Sequence, residues 1–158
     1  MRRTASIALP ALLALLLALP VAAAQPEAPS TGQTLYVAVY SHVYQGARSK
    51  PFNLTCTLSV RNPNVHRPIT IESVEYFDSH GERITNFLKE PLMLPAMSTV
   101  DYVIDERDDS GSSGANFLVR WSSPSPVNPP VVEGVMISTS FGQGISFTSP
   151  GRVIDPDY

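Results

Sequence analysis

Phe52-Asn53-Leu54-Thr55-Cys56-Thr57-Leu58-Ser59-Val60-Arg61 alternates without a break. Phe52, Leu54, Cys56, Leu58 and Val60 fall on one side; Asn53, Thr55, Thr57, Ser59 and Arg61 fall on the other. Successive side chains of an extended chain point to opposite faces. Ten residues of strict alternation therefore predict a half-buried β-strand, with one face on a core and one in water. Cys56 shares the apolar face with four larger hydrophobes and is the single cysteine of the chain. It reads as a small buried core residue, and one thiol leaves no internal disulfide to hold the fold together.

The same period recurs on both sides. Leu35, Val37 and Val39 alternate with Tyr36, Ala38 and Tyr40. Residues 69–78 are β-rich and end in the turn signal Asp78-Ser79-His80-Gly81, after which 82–88 is expected to return as a hairpin partner. Further strands are expected at 99–105, 115–121, 131–140 and 144–148, with a short last one at 152–154. Pro63, Pro68, Pro91, Pro95, Pro124, Pro126, Pro129, Pro130 and Pro150 punctuate these segments and mark loops and edges, because proline cannot donate to a central ladder. Seven to eight short strands with no crossover helix imply antiparallel pairing. The expected fold is all-β, a single immunoglobulin-like antiparallel β-sandwich over residues 34–155.

The N-terminus carries a compartment signal. Met1-Arg2-Arg3 precedes an apolar run ending in Ala22-Ala23-Ala24, the charged start, greasy middle and small-residue end of a secretory signal peptide. Pro10 and Pro20 interrupt the run and argue against a retained anchor. Residues 1–24 are read as the signal, 25–33 as a flexible polar linker, and the mature protein as periplasmic or secreted, with no later span. The formal net charge is −3 with 11 basic and 14 acidic side chains, and removing Arg2 and Arg3 makes it more negative. That balance argues against nucleic acid and anionic lipid as partners, since both need clustered Lys and Arg.

Reactive chemistry is thin. His42, His66 and His80 fall in expected loops and share no strand-face spacing; with Met93, Met97 and Cys56 they offer a soft copper site only if the fold gathers them. The 105–116 stretch is the most acidic and Gly-Ser-rich, with oxygen donors of the kind that Ca²⁺ takes, but not in an EF-hand register. Its other reading is a connection whose Asp and Ser side chains cap backbone donors. Gly111-Ser112-Ser113-Gly114 is not a nucleophile elbow, and Phe141-Gly142-Gln143-Gly144 lacks the parts of a phosphate loop and reads as a tight turn. No cofactor or metal is implied. Tyr36, Tyr40 and Tyr44 leave two readings open: an exposed aromatic strip for sugar or peptide, or core residues with hydroxyls at the rim.

Four stretches together resemble a family of small exported bacterial proteins known only as a domain of unknown function: Gly32-Gln33-Thr34-Leu35-Tyr36-Val37 through Tyr40-Ser41-His42; Leu58-Ser59-Val60-Arg61-Asn62 with Pro68-Ile69-Thr70-Ile71; Ser113-Gly114-Ala115-Asn116-Phe117-Leu118-Val119; and Asn128-Pro129-Pro130 through Gly142-Gln143-Gly144-Ile145-Ser146-Phe147. The resemblance implies an envelope or secreted location and no activity. A looser similarity runs from Val60-Arg61-Asn62-Pro63-Asn64 to Leu94-Pro95-Ala96 and is to the β-sandwich domain of water-stress and late-embryogenesis proteins. These readings lead to a non-enzymatic envelope module that binds a protein or cell-wall partner through end loops or an edge strand. The expected binding residues are Asp108, Asp109, Ser110, Ser112, Asn116 and Gln143. A metal-binding periplasmic accessory protein (calcium or copper) and a hydrolase with a loop-assembled site are the alternatives.

Overall fold

The computed structural model describes residues 27–46, 48–139, 142 and 144–156. The expected signal segment at 1–24 and Gln143 lie outside the described residues. Among the described residues twelve strands form: β1 Ser30–Ala38, β2 His42–Gln45, β3 Lys50–Asn53, β4 Thr55–Arg61, β5 Ile69–Phe77, β6 Arg83–Asn86, β7 Leu92–Leu94, β8 Thr99–Ile104, β9 Asn116–Val127, β10 Val131–Ser138, β11 Ile145–Pro150 and β12 Arg152–Asp155. A 3-10 turn, Ser112–Gly114, precedes β9. The all-β antiparallel sandwich is as expected, with more strands than the seven to eight anticipated.

Sheet one runs β12-β1-β9-β5-β6, with β7 also on β5; sheet two runs β11-β10-β4-β8; β2 and β3 form a separate hairpin. Every pairing is antiparallel. Leu35, Val37, Phe117, Val119, Trp121, Ile71, Val74 and Tyr76 of sheet one meet Cys56, Leu58, Val60, Ile104, Val132 and Met136 of sheet two in one buried cluster. Gly134 lets the layers close, because a Cβ there would meet Val39 Cγ1 at 2.7 Å.

The opening stretch differs from expectation in one respect. It is two strands, not one: β3 ends at Asn53 and β4 begins at Thr55. Leu54 donates its N–H to Ser41 O at 2.9 Å, and the chain changes partner there, from the β2 hairpin to sheet two. Alternation survives because Phe52, Leu54 and Cys56 all stay buried. In β5 the apolar phase slips between Ile71 and Val74. A bulge between Ile71 and Ser73 against β9 absorbs the extra residue, so Ile69, Ile71, Val74 and Tyr76 all remain inside.

Two strand ends also differ from expectation. Ser30–Gln33, expected in the linker, open β1, and Gln33 is buried with its Oε1 accepting the Trp121 Nε1 hydrogen at 3.3 Å. Pro124 and Pro126, expected in a loop, lie within β9. Ser122 is the last residue of β9 paired with β5, and beyond it only Val127 is paired with β1, to Ser30, so neither proline removes a ladder bond. Among the described residues no helix is long and apolar enough to cross a membrane, and Cys56 is a free, buried thiol that burial pushes up to about 12.

Candidate functional site

The acidic loop is held by its own side chains. Asp105 Oδ1 accepts the Arg107 N–H at 2.9 Å, and Asp108 Oδ1 accepts the Ser110 N–H at 3.0 Å. The Asp109 carbonyl accepts the Ser112 N–H at 2.9 Å. This is the backbone-capping use of Asp in a tight connection. The loop is also fastened to its neighbours. Ser41 N–H donates to Ser112 O at 3.0 Å, Ser79 Oγ receives the Gly114 N–H at 2.9 Å, and Ser138 Oγ donates to Glu106 at 3.3 Å. Beneath it Tyr76 Oη and Ser41 Oγ share a hydrogen bond of 3.1 Å. Burial raises the Tyr76 phenol above its ordinary value, with the Ser41 bond opposing and the Asp108 charge adding to the rise.

Of the expected binding residues, Asp108, Asp109, Ser110, Ser112 and Asn116 follow one another along this loop and into β9, while Gln143 lies outside the described residues. Asp108, Asp109 and Ser110 are exposed on the loop, with Asp108 and Ser110 joined in one turn. Ser112 is half-buried with φ +61° and points its carbonyl at Ser41. Asn116 opens β9 between Ala38 and Phe77, inside sheet one. Among the described residues no group of three His, Cys, Asp or Glu side chains is close enough to hold a metal ion. His42 is not in a loop but begins β2, its ring 5.1 Å from that of Tyr44; His66 and His80 are exposed in separate connections. Met93 and Met97 are exposed, and Cys56 is in the core.

A different place combines an open backbone edge with a shaped surface. On one side β1 pairs with β9 from Ser30 to Ala38; on the other, β12 covers it only from Thr34 to Tyr36. Val39 and Ser41 donate their N–H groups to Ala115 O and Ser112 O, toward the β9 side. Hydrogen-bonding groups alternate along a strand, so those of Ala38 and Tyr40 face the other way, where β12 has already ended.

That bare edge borders a groove of about 480 Å³ lined by Tyr36, Ala38, Tyr40, Ser149, Pro150 and Arg152. Its cause is the path of the chain after β11. β11 lies on the edge of sheet two; at Gly151 the chain crosses to sheet one and becomes β12, with Gly151 N–H bonded to Val132 O at 2.8 Å. A Cβ at Gly151 would meet Val132 O at 3.0 Å and Leu35 Cδ2 at 3.3 Å, so any larger residue at the crossing would crowd both. The crossing seals the side of the sandwich next to Thr34–Tyr36 and leaves it split alongside Ala38 and Tyr40. Tyr40 partly bridges the split, its ring 5.8 Å from Phe147 and edge-on to it.

The tyrosines therefore divide between the two readings their spacing left open. Tyr36 is 36% exposed and Tyr44 58% exposed, while Tyr40 is half-buried against Phe147. Alternation marked Tyr36 and Tyr40 as one face, but nothing local to them announces that β12 stops at Tyr36. A second groove of similar size, about 460 Å³, lies at the start of β1 and is lined by Ala28, Pro29, Ser30, Thr31, Gln33, Pro126 and Pro156. None of these lining residues carries a charge or an aromatic ring.

No curated protein matches the chain. Among solved structures, Thermotoga maritima 1070 is 8% identical over 79% of this chain and 97% of its own, with a TM-score of 0.48. FLGD from P. aeruginosa is 14% identical over 84% and 78%, with a TM-score of 0.25. At these values neither likeness extends to function. A family model does match, over residues 32–154, and takes in β1 from Gly32 onward, the acidic loop and the crossing at Gly151. The chain belongs to that family, described as protein of unknown function (DUF3124).

Proposed function

We propose that this protein is a non-enzymatic, exported binding module of the cell envelope, and that it takes an extended segment of a partner protein along the open edge of β1. The observation that carries this is the stretch Ala38–Tyr40 beside the tyrosine groove, which among the described residues no strand pairs on its β12 side. An added strand gains main-chain hydrogen bonds from such an edge and side-chain selectivity from the surface next to it. Tyr36 and Tyr40 are four residues apart, roughly 13 Å along a strand, with Ala38 leaving a gap between the rings. An extended peptide presents same-face side chains at roughly 6.7 Å, so one side chain fits between the rings. A peptide matches that spacing as an added strand.

The non-enzymatic reading is supported by the dispersal of titratable groups: the Asp105 and Asp108 carboxylates are engaged with backbone N–H groups, and the three histidines lie in separate places. Export rests on the charged, apolar and small-residue pattern of residues 1–24.

The test is site-specific photocrosslinking in the native envelope, with a photoreactive phenylalanine analogue at Tyr36 or Tyr40 and, as controls, at Tyr44 and Val65, which are both exposed but outside the groove. A defined adduct from positions 36 and 40 and none from 65 is the expected result. Equal adducts from all positions, or none from the groove, would overturn the peptide-edge reading. Mass determination of the mature chain checks export: its first residue should be Gln25.

A further inference from the structure

We infer that the segment bound in the β1 groove carries a carboxylate that pairs with Arg152. This rests on the edge-strand reading above and deepens it. Four arginines lie in strands. Arg61 is bridged to Glu133 at 3.5 Å, and Arg83 and Arg120 are both bridged to Glu75, at 2.7 and 3.0 Å. Arg152 is the exception: among the described residues nothing engages its guanidinium, and it is exposed on the wall of the groove. An unengaged planar fork of donors beside two tyrosines and a proline is suited to a carboxylate, which it holds with two parallel bonds.

Its position along the edge sharpens the point. Arg152 pairs with Tyr36, the last residue of β1 that β12 covers. A strand laid against Ala38 and Tyr40 would lie in line with β12, and its path is blocked at Tyr36 by the crossing segment Pro150-Gly151-Arg152. The bound segment therefore has to end or turn away beside Arg152. Laid antiparallel to β1, as every pairing in this fold is, it runs in the same direction as β12 and brings its C-terminal end to that point. The carboxylate is then either the free C-terminus of the partner or an Asp or Glu at the turn.

The experiment is selection of random dodecamer peptides on the full chain, displayed in two formats, one with a free C-terminus and one followed by a fixed tag. Enrichment confined to the free format identifies a C-terminal carboxylate; enrichment of Asp or Glu in the tagged format identifies a side chain. Selected peptides are then remade with the carboxylate as acid or amide and titrated against wild type, Arg152→Gln, Arg152→Lys and Ala38→Trp. The acid form is expected to bind wild type roughly tenfold more tightly than the amide, and Arg152→Gln to erase that difference without losing the amide's affinity. Arg152→Lys should keep part of the preference, because the charge remains but the fork is lost. Peptides that bind with no acid preference, or with one that Arg152→Gln leaves intact, overturn the carboxylate assignment while the groove reading stands. No enriched peptide, or peptides that bind Ala38→Trp as well as wild type, overturn both.

Discussion

A Cβ at Gly111 would stand 1.9 Å from Tyr76 Oη and 2.6 Å from Ala115 Cβ. The glycine is what lets the acidic loop lie down on the Tyr76–Ser41 hydrogen bond, so the loop's shape depends on an absence of side chain more than on its charges. Gly111→Ala should cost about 2 kcal/mol by overpacking, read as a fall in the denaturation midpoint with unchanged slope. An unchanged midpoint would mean that the loop does not rest on Tyr76. Asp78 works the other way, through charge. Its Oδ1 accepts N–H bonds from Glu82 at 2.9 Å and His80 at 2.8 Å, and these, the Glu82 bond first, hold the carboxyl below its ordinary value of 3.8. A group whose folded value is depressed contributes stability above its unfolded value and loses it as pH falls through the folded one. Asp78→Ala should therefore lower Tm at pH 7, with the gap to wild type closing toward pH 2. A gap that persists at pH 2 would assign the loss to something other than the ionised carboxylate.

At the scale of the strand, Gly151 is the residue on which the sandwich's lateral closure turns. Gly151→Val places methyl groups against Val132 O and Leu35, and should detach β12 from β1 while leaving the β4–β10 ladder in place. Hydrogen exchange would show Arg152–Asp155 losing protection first; uniform loss across both sheets would mean that the crossing is not separable from the core. Much of the element list was legible beforehand because burial on one face imposes period two wherever a strand lies: Leu35 to Val39, Phe52 to Val60 and Phe117 to Trp121 all kept their inward side. What escaped was anything decided by partners. The division of 52–61 at Leu54 leaves alternation untouched, and Pro124 and Pro126 are tolerated in β9 only because the neighbouring ladders have run out. The β2–β3 hairpin was missed for want of local pattern, since His42 to Gln45 and Lys50 to Asn53 are too short and too exposed to show one.

At the scale of the molecule, one core joins both sheets, and Trp121, the single tryptophan, is fully buried in it. Its emission should be blue-shifted and shielded from iodide in the native state. Its unfolding transition should coincide with that of the far-ultraviolet dichroism; two separated transitions would show that the sheets come apart independently. The groove exists only at this scale. Tyr36 and Arg152 are far apart in sequence and adjacent in register, so no window along the chain contains the site. The acidic loop was conspicuous for the opposite reason: its carboxylates are close in sequence, and the structure uses Asp105 and Asp108 to cap the turns they stand in.

The pairing of β1 with β12 also says something about how the chain could be cut and rejoined. Thr34 lies opposite Asp155, so the strands that open and close the fold are neighbours, and the domain is a ring lacking one covalent link. A short linker from beyond β12 to the start of β1 would complete the ring, and new ends opened at the exposed turn after Gln45 would give a circular permutant with every sheet contact retained. The order of elements along the chain would then be free to change while the edge groove, which depends only on where β12 stops, stayed where it is.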